Sequence, residues 1–449
     1  MKKGNNKKVL FIAYLFPPVG GGGVQRSSKF VKYLPDFEWN PVVLTVKEPY
    51  DFYSDNSLLN DLNKDVKIYR TSSLEPMKWV RKYLKRRWKK HIDAENLEKI
   101  SHKKTLKPSF LVKLKTYILI PDNEIFWLPF AIRRGFKIIR KEKPSLIYST
   151  ASPFTDHLIA LILSKFSGLP WVADFRDFWV DRANFPKNRW RLFIDRKLEK
   201  YVLNKADHVV TSTSVIAEKF KGIYPDQKYT VITNGYDEDD FRDSEIIIPH
   251  ESEFRITYTG IFNQFQNPKK IFLALKKIIE EREALRKKLK LKFIGQLDNP
   301  GDFENLNLFK ELGLDQYSDM IPYKKHKEAI SEMCQSTILL LLIGNYPYSE
   351  GILTGKLFEY FRSGRPILAV VPTEGLAADL IRLTNSGIVV SNKNVDEIAE
   401  GISRLFDLFV ERKLEETFKS EGIENYSRKY LTEKLSEVFE SVVSLKSNR

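Results

Sequence analysis

An α/β protein of two doubly wound, Rossmann-like domains is the fold class that this sequence predicts, and three observations carry the expectation. Its 449 residues exceed what one hydrophobic core organises, so two domains of about 200 residues each are the natural division. Short apolar runs alternate with helical patterns, as parallel strands and their crossover helices do. The alternation also comes as two consecutive series, parted near the turn Asn234-Gly235-Tyr236.

In chain order, the first series places strands at Val9–Tyr14, Pro41–Val46, Val66–Tyr69, Leu146–Ser149, Trp171–Asp174, His208–Ser212 and Tyr229–Ile232. Each is short and rich in the residue types that parallel sheets bury on both faces. The second series, after the acidic turn Asp237–Asp240, places strands at Arg255–Thr259, Leu291–Ile294, Met320–Ile321, Thr337–Leu342, Pro366–Val371 and Gly387–Val390. A last amphipathic helix carries Tyr430, Leu431, Leu435, Val438, Phe439, Val442 and Val443 on one face, at helical spacing. The expected domains are residues 1–235 and 236–425, with a terminal helix over 426–449 packing back toward the first. Two such lobes are expected to face a central cleft, since ligands bind at the carboxyl ends of strands in these sheets.

Composition narrows the function classes. With 42% apolar and 29% charged residues, wholesale disorder is excluded. The single cysteine, Cys334, allows neither an internal disulfide nor a cysteine zinc cage and reads as a buried, inert thiol. Lys2, Lys3, Lys7 and Lys8 before Val9–Phe16 imitate a signal peptide, but that run is only a strand long and ends at Pro17-Pro18. No 18-residue apolar span follows, so the expected location is the cytoplasm. The net charge is +16, and most of it comes from an apparent insertion over residues 74–119. Between Lys78 and Lys115 there are 14 Lys or Arg against Asp93, Glu95 and Glu98, with Trp79, Tyr83 and Trp88 among them. Basic and aromatic residues interleaved in this way suit an anionic membrane surface, which places the protein peripherally at the inner face. Nucleic acid is not expected, because no nucleic-acid motif accompanies the charge.

Two stretches carry candidate chemistry. The first strand runs into Phe16-Pro17-Pro18-Val19-Gly20-Gly21-Gly22-Gly23, after which Ser27–Leu34 reads as a helix. Glycines there, Gly21, Gly22 and Gly23 in particular, let backbone amides approach an anion such as a diphosphate. The spacing is not that of a dinucleotide fingerprint. The second stretch runs from Ser349 to Pro366. Thr354 and Gly355 open a helix whose amides suit phosphates, Lys356 adds a cation, and Glu359 stands one turn on, where a carboxylate can accept two ribose hydroxyls. Asp174, Arg176 and Asp177 follow a buried strand, an unfavourable place for charge unless it is paired or faces a ligand. They are the candidates for activating or orienting an acceptor, with an Arg176–Asp177 ion pair as the other reading. His157 begins an apolar helix and reads as a packing residue. Asp237-Glu238-Asp239 imitates a metal-binding Asp-x-Asp but follows a turn and is expected to cap. No metal or other cofactor is expected, since no His/Cys/carboxylate cluster has metal spacing.

Taken together, the glycine-rich loop, the late Glu-containing helix ending in Gly364-Arg365-Pro366 and the terminal helix resemble the family 4 (group 1) glycosyltransferases. Further echoes are Ala173–Trp179, Thr233–Asp237, Tyr258-Thr259-Gly260 and Phe293-Ile294-Gly295. The resemblance covers nearly the whole chain and implies the GT-B fold. It also implies transfer of a sugar, with retention, from a nucleotide-diphosphate donor, here to a lipid-linked saccharide in bacterial surface-polysaccharide synthesis (capsule or O-antigen). It puts Gly295 among the donor-binding glycines, Asn263 near the place of the family's diphosphate arginine, Lys269 or Lys270 at its lysine, and Tyr323 near the nucleobase. The family has two glutamates eight positions apart. Glu359 matches the second, whereas Gly351 stands eight positions earlier and Glu350 nine, so Glu350 is the candidate for the first. Two alternatives share these features: a nucleotide-sugar 2-epimerase of the same fold, which needs no acceptor, and a non-catalytic binding protein of a polysaccharide assembly complex.

Overall fold

A computed structural model describes residues 7–47, 55–74, 119–182, 185–186, 188–242, 252–262, 265–298, 304–322 and 324–447. The chain divides into two compact units. One comprises Met1–Ser212, Ile216–Val231 and Leu435–Arg449, and the other Thr213–Val215 and Ile232–Lys434. The chain thus leaves the first unit at Val231, a few residues before the boundary expected at 235, and its terminal helix is divided between the two.

The first unit is built on strands β1 (Lys7–Ile12), β2 (Trp39–Val46), β3 (Lys67–Thr71), β4 (Leu146–Ala151), β5 (Trp171–Phe175), β6 (His208–Thr211) and β7 (Tyr229–Val231). They form one parallel sheet in the order β3-β2-β1-β4-β5-β6-β7. Leu10 of β1 lies level with Val42 of β2 and Ile147 of β4, and Val9–Ile12 are wholly buried. The strand order reverses between β1 and β4, so the carboxyl ends of these two strands splay apart into the position where doubly wound sheets take ligands. Among the described residues its helices of eight residues or more are α1 (Gly22–Tyr33), α2 (Leu128–Glu142), α3 (Thr155–Ser167), α4 (Arg189–Lys205) and α5 (Ser214–Ile223). The last helix of the chain contributes Phe439, which packs edge-on against Trp39 and Tyr148, and Glu440, which pairs with Lys7.

The second unit has strands β8 (Phe254–Ile261), β9 (Leu289–Gln296), β10 (Ser318–Ile321), β11 (Ile338–Leu342), β12 (Ile367–Val371) and β13 (Gly387–Ser391), ordered β10-β9-β8-β11-β12-β13. Its helices of eight residues or more are α6 (Lys269–Glu281), α7 (Glu304–Glu311), α8 (His326–Cys334), α9 (Gly355–Ser363), α10 (Leu376–Leu383), α11 (Val395–Val410) and the start of α12 (Arg428–Ser447). One core fills the side of the sheet under α6, α7 and α11, with Phe254, Phe272, Phe293, Phe309 and Phe406 at its centre. A second core joins Leu339, Leu341, Phe358, Phe361 and Ile381 on the other side.

Every strand expected from the sequence is present as a strand, in two sheets of seven and six. One helix boundary differs. The helix expected at Ser27 begins at Gly22, so Gly22 and Gly23 form its first turn instead of a loop before it. Glycine disfavours helix interiors by about 1 kcal/mol, a weak preference that the surrounding burial of Val24 to Val31 overrides. The basic insertion lies outside the described residues except at its ends, as do Asn263 and Tyr323. Among the described residues no helix is long and apolar enough to cross a membrane.

Candidate functional site

In the second unit, three elements converge at the carboxyl ends of β8 and β9. Gly260 and Gly295 are cross-strand partners there, both at φ 130°. A Cβ on Gly295 would stand 2.1 Å from the Gly260 carbonyl oxygen, and one on Gly260 would stand 2.8 Å from Lys356 Nζ. The glycine pair therefore makes room for the lysine. Lys356 comes from the first turn of α9, lies over the Tyr258 ring at 4.2 Å and donates to the Thr259 carbonyl at 2.5 Å. Burial pushes its ammonium down from 10.5 to about 8, with Glu359 pulling the other way. The result is a cation held among a ring, a carbonyl and two glycines at a helix N-terminus, an arrangement that favours an anion. Thr354 occupies the N-cap of α9 without a side-chain capping bond, and its Oγ1 is buried with no partner among the described residues.

Glu359, one turn along α9, is tied from a second direction. His326 Nε2 stands 2.8 Å from Glu359 Oε1 and, facing a carboxylate, must carry the proton; its Nδ1 is 3.6 Å from Asp240 Oδ2. Burial opposes charge on Glu359, yet His326, Arg428 and Lys356 outweigh it and hold the carboxyl below its usual range. Asp237 caps a turn, accepting from the Asp239 amide at 3.2 Å. Glu350 sits exposed in the 3-10 turn Ser349–Gly351, with its backbone against Gly375 at the start of α10. Lys269 is exposed at the first position of α6, and Lys270 donates to the Lys393 carbonyl.

In the first unit, Asp174 lies within β5 itself and is fully buried. Arg26 of α1 grips it with two bonds, Nε to Oδ2 at 2.9 Å and Nη2 to Oδ1 at 2.8 Å, while Tyr148 and Thr150 donate to Oδ2 at 2.7 and 2.8 Å. Burial opposes its charge, but Arg26 and the hydroxyls hold the carboxyl below 3.8. A carboxylate so surrounded is a poor proton acceptor, and its geometry is that of an anchor for α1. Arg176 follows the strand and donates to the carbonyls of Ala151, Ser152 and Gly23, so its cation tethers the glycine turn and does not pair with Asp177. Asp177 is exposed. Gly21 caps α1 at φ 102°, while a Cβ at Gly22 would meet nothing within 4 Å. His157 packs as expected, 2.8 Å from Ser149 Oγ, and burial lowers it to about 3. Among the described residues no group of three His, Cys, Asp or Glu has metal-binding geometry.

Two family models match consecutive stretches of the chain: Glycosyltransferase Family 4 over residues 93–240, and Glycosyl transferases group 1 over residues 240–424. The chain belongs to the family 4, group 1 glycosyltransferases. Solved structures agree in fold. A sucrose-phosphate synthase from Thermosynechococcus elongatus matches at 12% identity and TM-score 0.64, covering 98% of this chain and 100% of its own. The Anabaena protein HepE in complex with UDP matches at 13% and 0.61, covering 97% and 100%. A putative UDP-N-acetylglucosamine 2-epimerase from Listeria monocytogenes matches at 12% and 0.52, covering 97% and 96%. No curated protein sequence matches significantly.

In this glycosyltransferase, sequence reasoning reached α9 and the glycine turn but not the side chains that set their geometry. Arg26 is hidden because its partner is 148 positions away. His326 is hidden by the 33 positions between it and Glu359. Asp156 was also missed: it opens α3 beside Thr155, accepts from the Tyr14 amide at 2.8 Å and leaves Oδ1 buried without a partner. Burial carries its carboxyl well above the usual range. The one usable signal was an acid directly before His157 at a helix start, which capping alone also explains.

Proposed function

We propose that this glycosyltransferase takes its sugar from a nucleoside-diphosphate donor bound by the second unit, and transfers it with retention to a lipid-linked saccharide in bacterial surface-polysaccharide synthesis. The observation that carries the donor reading is Lys356 and Glu359 on one turn of α9, the first a cation with no carboxylate in contact among the described residues, the second a carboxylate braced by His326. In this reading Lys356 and the α9 amides take the diphosphate, and Glu359 Oε2 accepts from the ribose. The anomeric C–O bond to the diphosphate breaks, the diphosphate leaves with the electron pair, and the acceptor oxygen bonds to the anomeric carbon as its proton passes to the departing diphosphate oxygen. Charge building on the diphosphate is where fixed donors lower the barrier most. HepE, described with UDP bound, supports a uridine donor. Glu350 is proposed for the reacting end of the donor, Asp177 and Arg176 for the acceptor, the Gly21–Gly23 turn for an anion, and Gly295 and Lys269 as further donor contacts. No metal enters the scheme.

The test is nucleotide release from UDP-glucose, UDP-galactose, UDP-N-acetylglucosamine and GDP-mannose, with and without a bacterial lipid extract. Sugar appearing in the lipid fraction only with active protein supports the reading. Interconversion of the free donor without acceptor would instead support the epimerase, and binding with neither outcome a non-catalytic role.

A further inference from the structure

Helix α4 of the first unit is built inside out with respect to charge. Its acids face the protein: Asp195 is buried against Arg191 at 2.7 Å and accepts from Trp179 Nε1, and Glu199 is buried too. Its exposed positions carry Arg189, Arg196, Lys197, Lys200 and Lys205 and no acid. Large rings stand among them: Trp190, Phe193 and Tyr201 are 60%, 53% and 43% exposed. At about 100° per residue these three fall within roughly an 80° stripe, with Lys197 over the Phe193 ring at 4.3 Å. The neighbouring helices are also basic where they are exposed. Phe166, 70% exposed at the end of α3, follows the exposed Lys165, and α2 beside it exposes Arg133, Lys137, Arg140 and Lys141.

Soluble surfaces rarely expose neighbouring large apolar groups on one face, and here the rings stand among cations, a combination that suits a surface offering both apolar depth and anionic phosphates. We propose that the α4 face docks on an anionic phospholipid bilayer. The rings enter the headgroup level and the Lys and Arg side chains reach lipid phosphates, the division of labour of interfacial helices. Charge complementarity selects this occupant. The surface belongs to the first unit and the proposed donor residues to the second, and no residue of 74–119 is counted in it; it rests on the proposed membrane-borne acceptor only for its purpose.

The test is flotation of the full chain with phosphatidylcholine vesicles and with phosphatidylcholine–phosphatidylglycerol vesicles. Two triple variants are compared with it: Trp190→Ser, Phe193→Ser, Tyr201→Ser, and Lys197→Glu, Lys200→Glu, Lys205→Glu. The wild type is expected to float only with phosphatidylglycerol, and each triple variant to partition about tenfold less at unchanged Tm and unchanged donor hydrolysis. Variants that float like the wild type overturn the proposal, as does a wild type that stays at the bottom. Loss confined to Lys85→Glu, Arg86→Glu, Arg87→Glu would assign binding to the insertion and overturn it too. Ring-dependent dimerisation without vesicles, or displacement from vesicles by RNA, would likewise replace the bilayer as occupant. Absent donor hydrolysis in a wild type that floats would count against the transferase reading alone.

Discussion

Lys356→Met separates a lysine kept for a ligand from one kept for stability. The substitution removes the charge while keeping an unbranched side chain. In the folded protein burial brings this ammonium from 10.5 to about 8, which is roughly 3 kcal/mol against the charged form. The bond to the Thr259 carbonyl offsets about 1 kcal/mol of that. The unliganded variant should therefore be more stable by about 2 kcal/mol, a rise in Tm of roughly 4–8 °C for a unit of this size. Nucleotide binding should move the other way. Losing a charge-assisted contact to a diphosphate costs about 1.5–3 kcal/mol, so UDP or GDP should bind roughly 10–100-fold more weakly. The pH dependence has a definite sign. The protonated form holds the anion, so wild-type affinity is full below about 8 and falls as pH rises through that value, whereas the variant's affinity stays flat. Differential scanning fluorimetry and titration calorimetry across this range read both effects. A variant that is less stable than the wild type, or that binds nucleotide equally well with the same pH profile, would refute the reasoning.

Three further outcomes follow from the same geometry. Asp174→Ala strands Arg26 in the core and should cost about 3–5 kcal/mol in denaturant titration; a loss under about 1 kcal/mol would contradict the buried pair. Because Arg26 holds Asp174 below its ordinary 3.8, its stabilisation is complete above that pH and is lost in more acidic solution. Gly22→Ala meets open space and should leave Tm unchanged or slightly raised; if turnover is also unchanged, no ligand approaches that turn. His326→Ala should weaken UDP about fivefold while leaving inorganic pyrophosphate, which has no ribose, unaffected. Calorimetry with both ligands distinguishes this from general damage, which would weaken both.

Much of the fold was legible because parallel strands are buried on both faces and read as short apolar runs. β11, Ile338–Leu342, is five buried residues with no polar member. The start and stop of α9 were likewise written locally, in Thr354 and in Gly364 at φ 67°. The start of α1 was not, because four glycines read as a loop when local propensity alone decides. The sites show the same divide. Lys356 and Glu359 share one helical turn and could be found by spacing, but what surrounds them is tertiary. Asp174, at the end of its expected strand, read as open to a ligand because no local feature announces Arg26 in α1. Its place inside β5 and its four hydrogen bonds make it an anchor. The ion pair considered for Arg176 and Asp177 fails for a related reason: three carbonyls near the ends of β4 and α1 claim the guanidinium first.

The most direct test of the donor site is a crystal structure with whichever of UDP, GDP or ADP most raises the Tm. The account expects the diphosphate within hydrogen-bonding reach of Lys356 Nζ and the first amides of α9, and the ribose hydroxyls on Glu359. A nucleotide bound to the second unit without touching either side chain would contradict it.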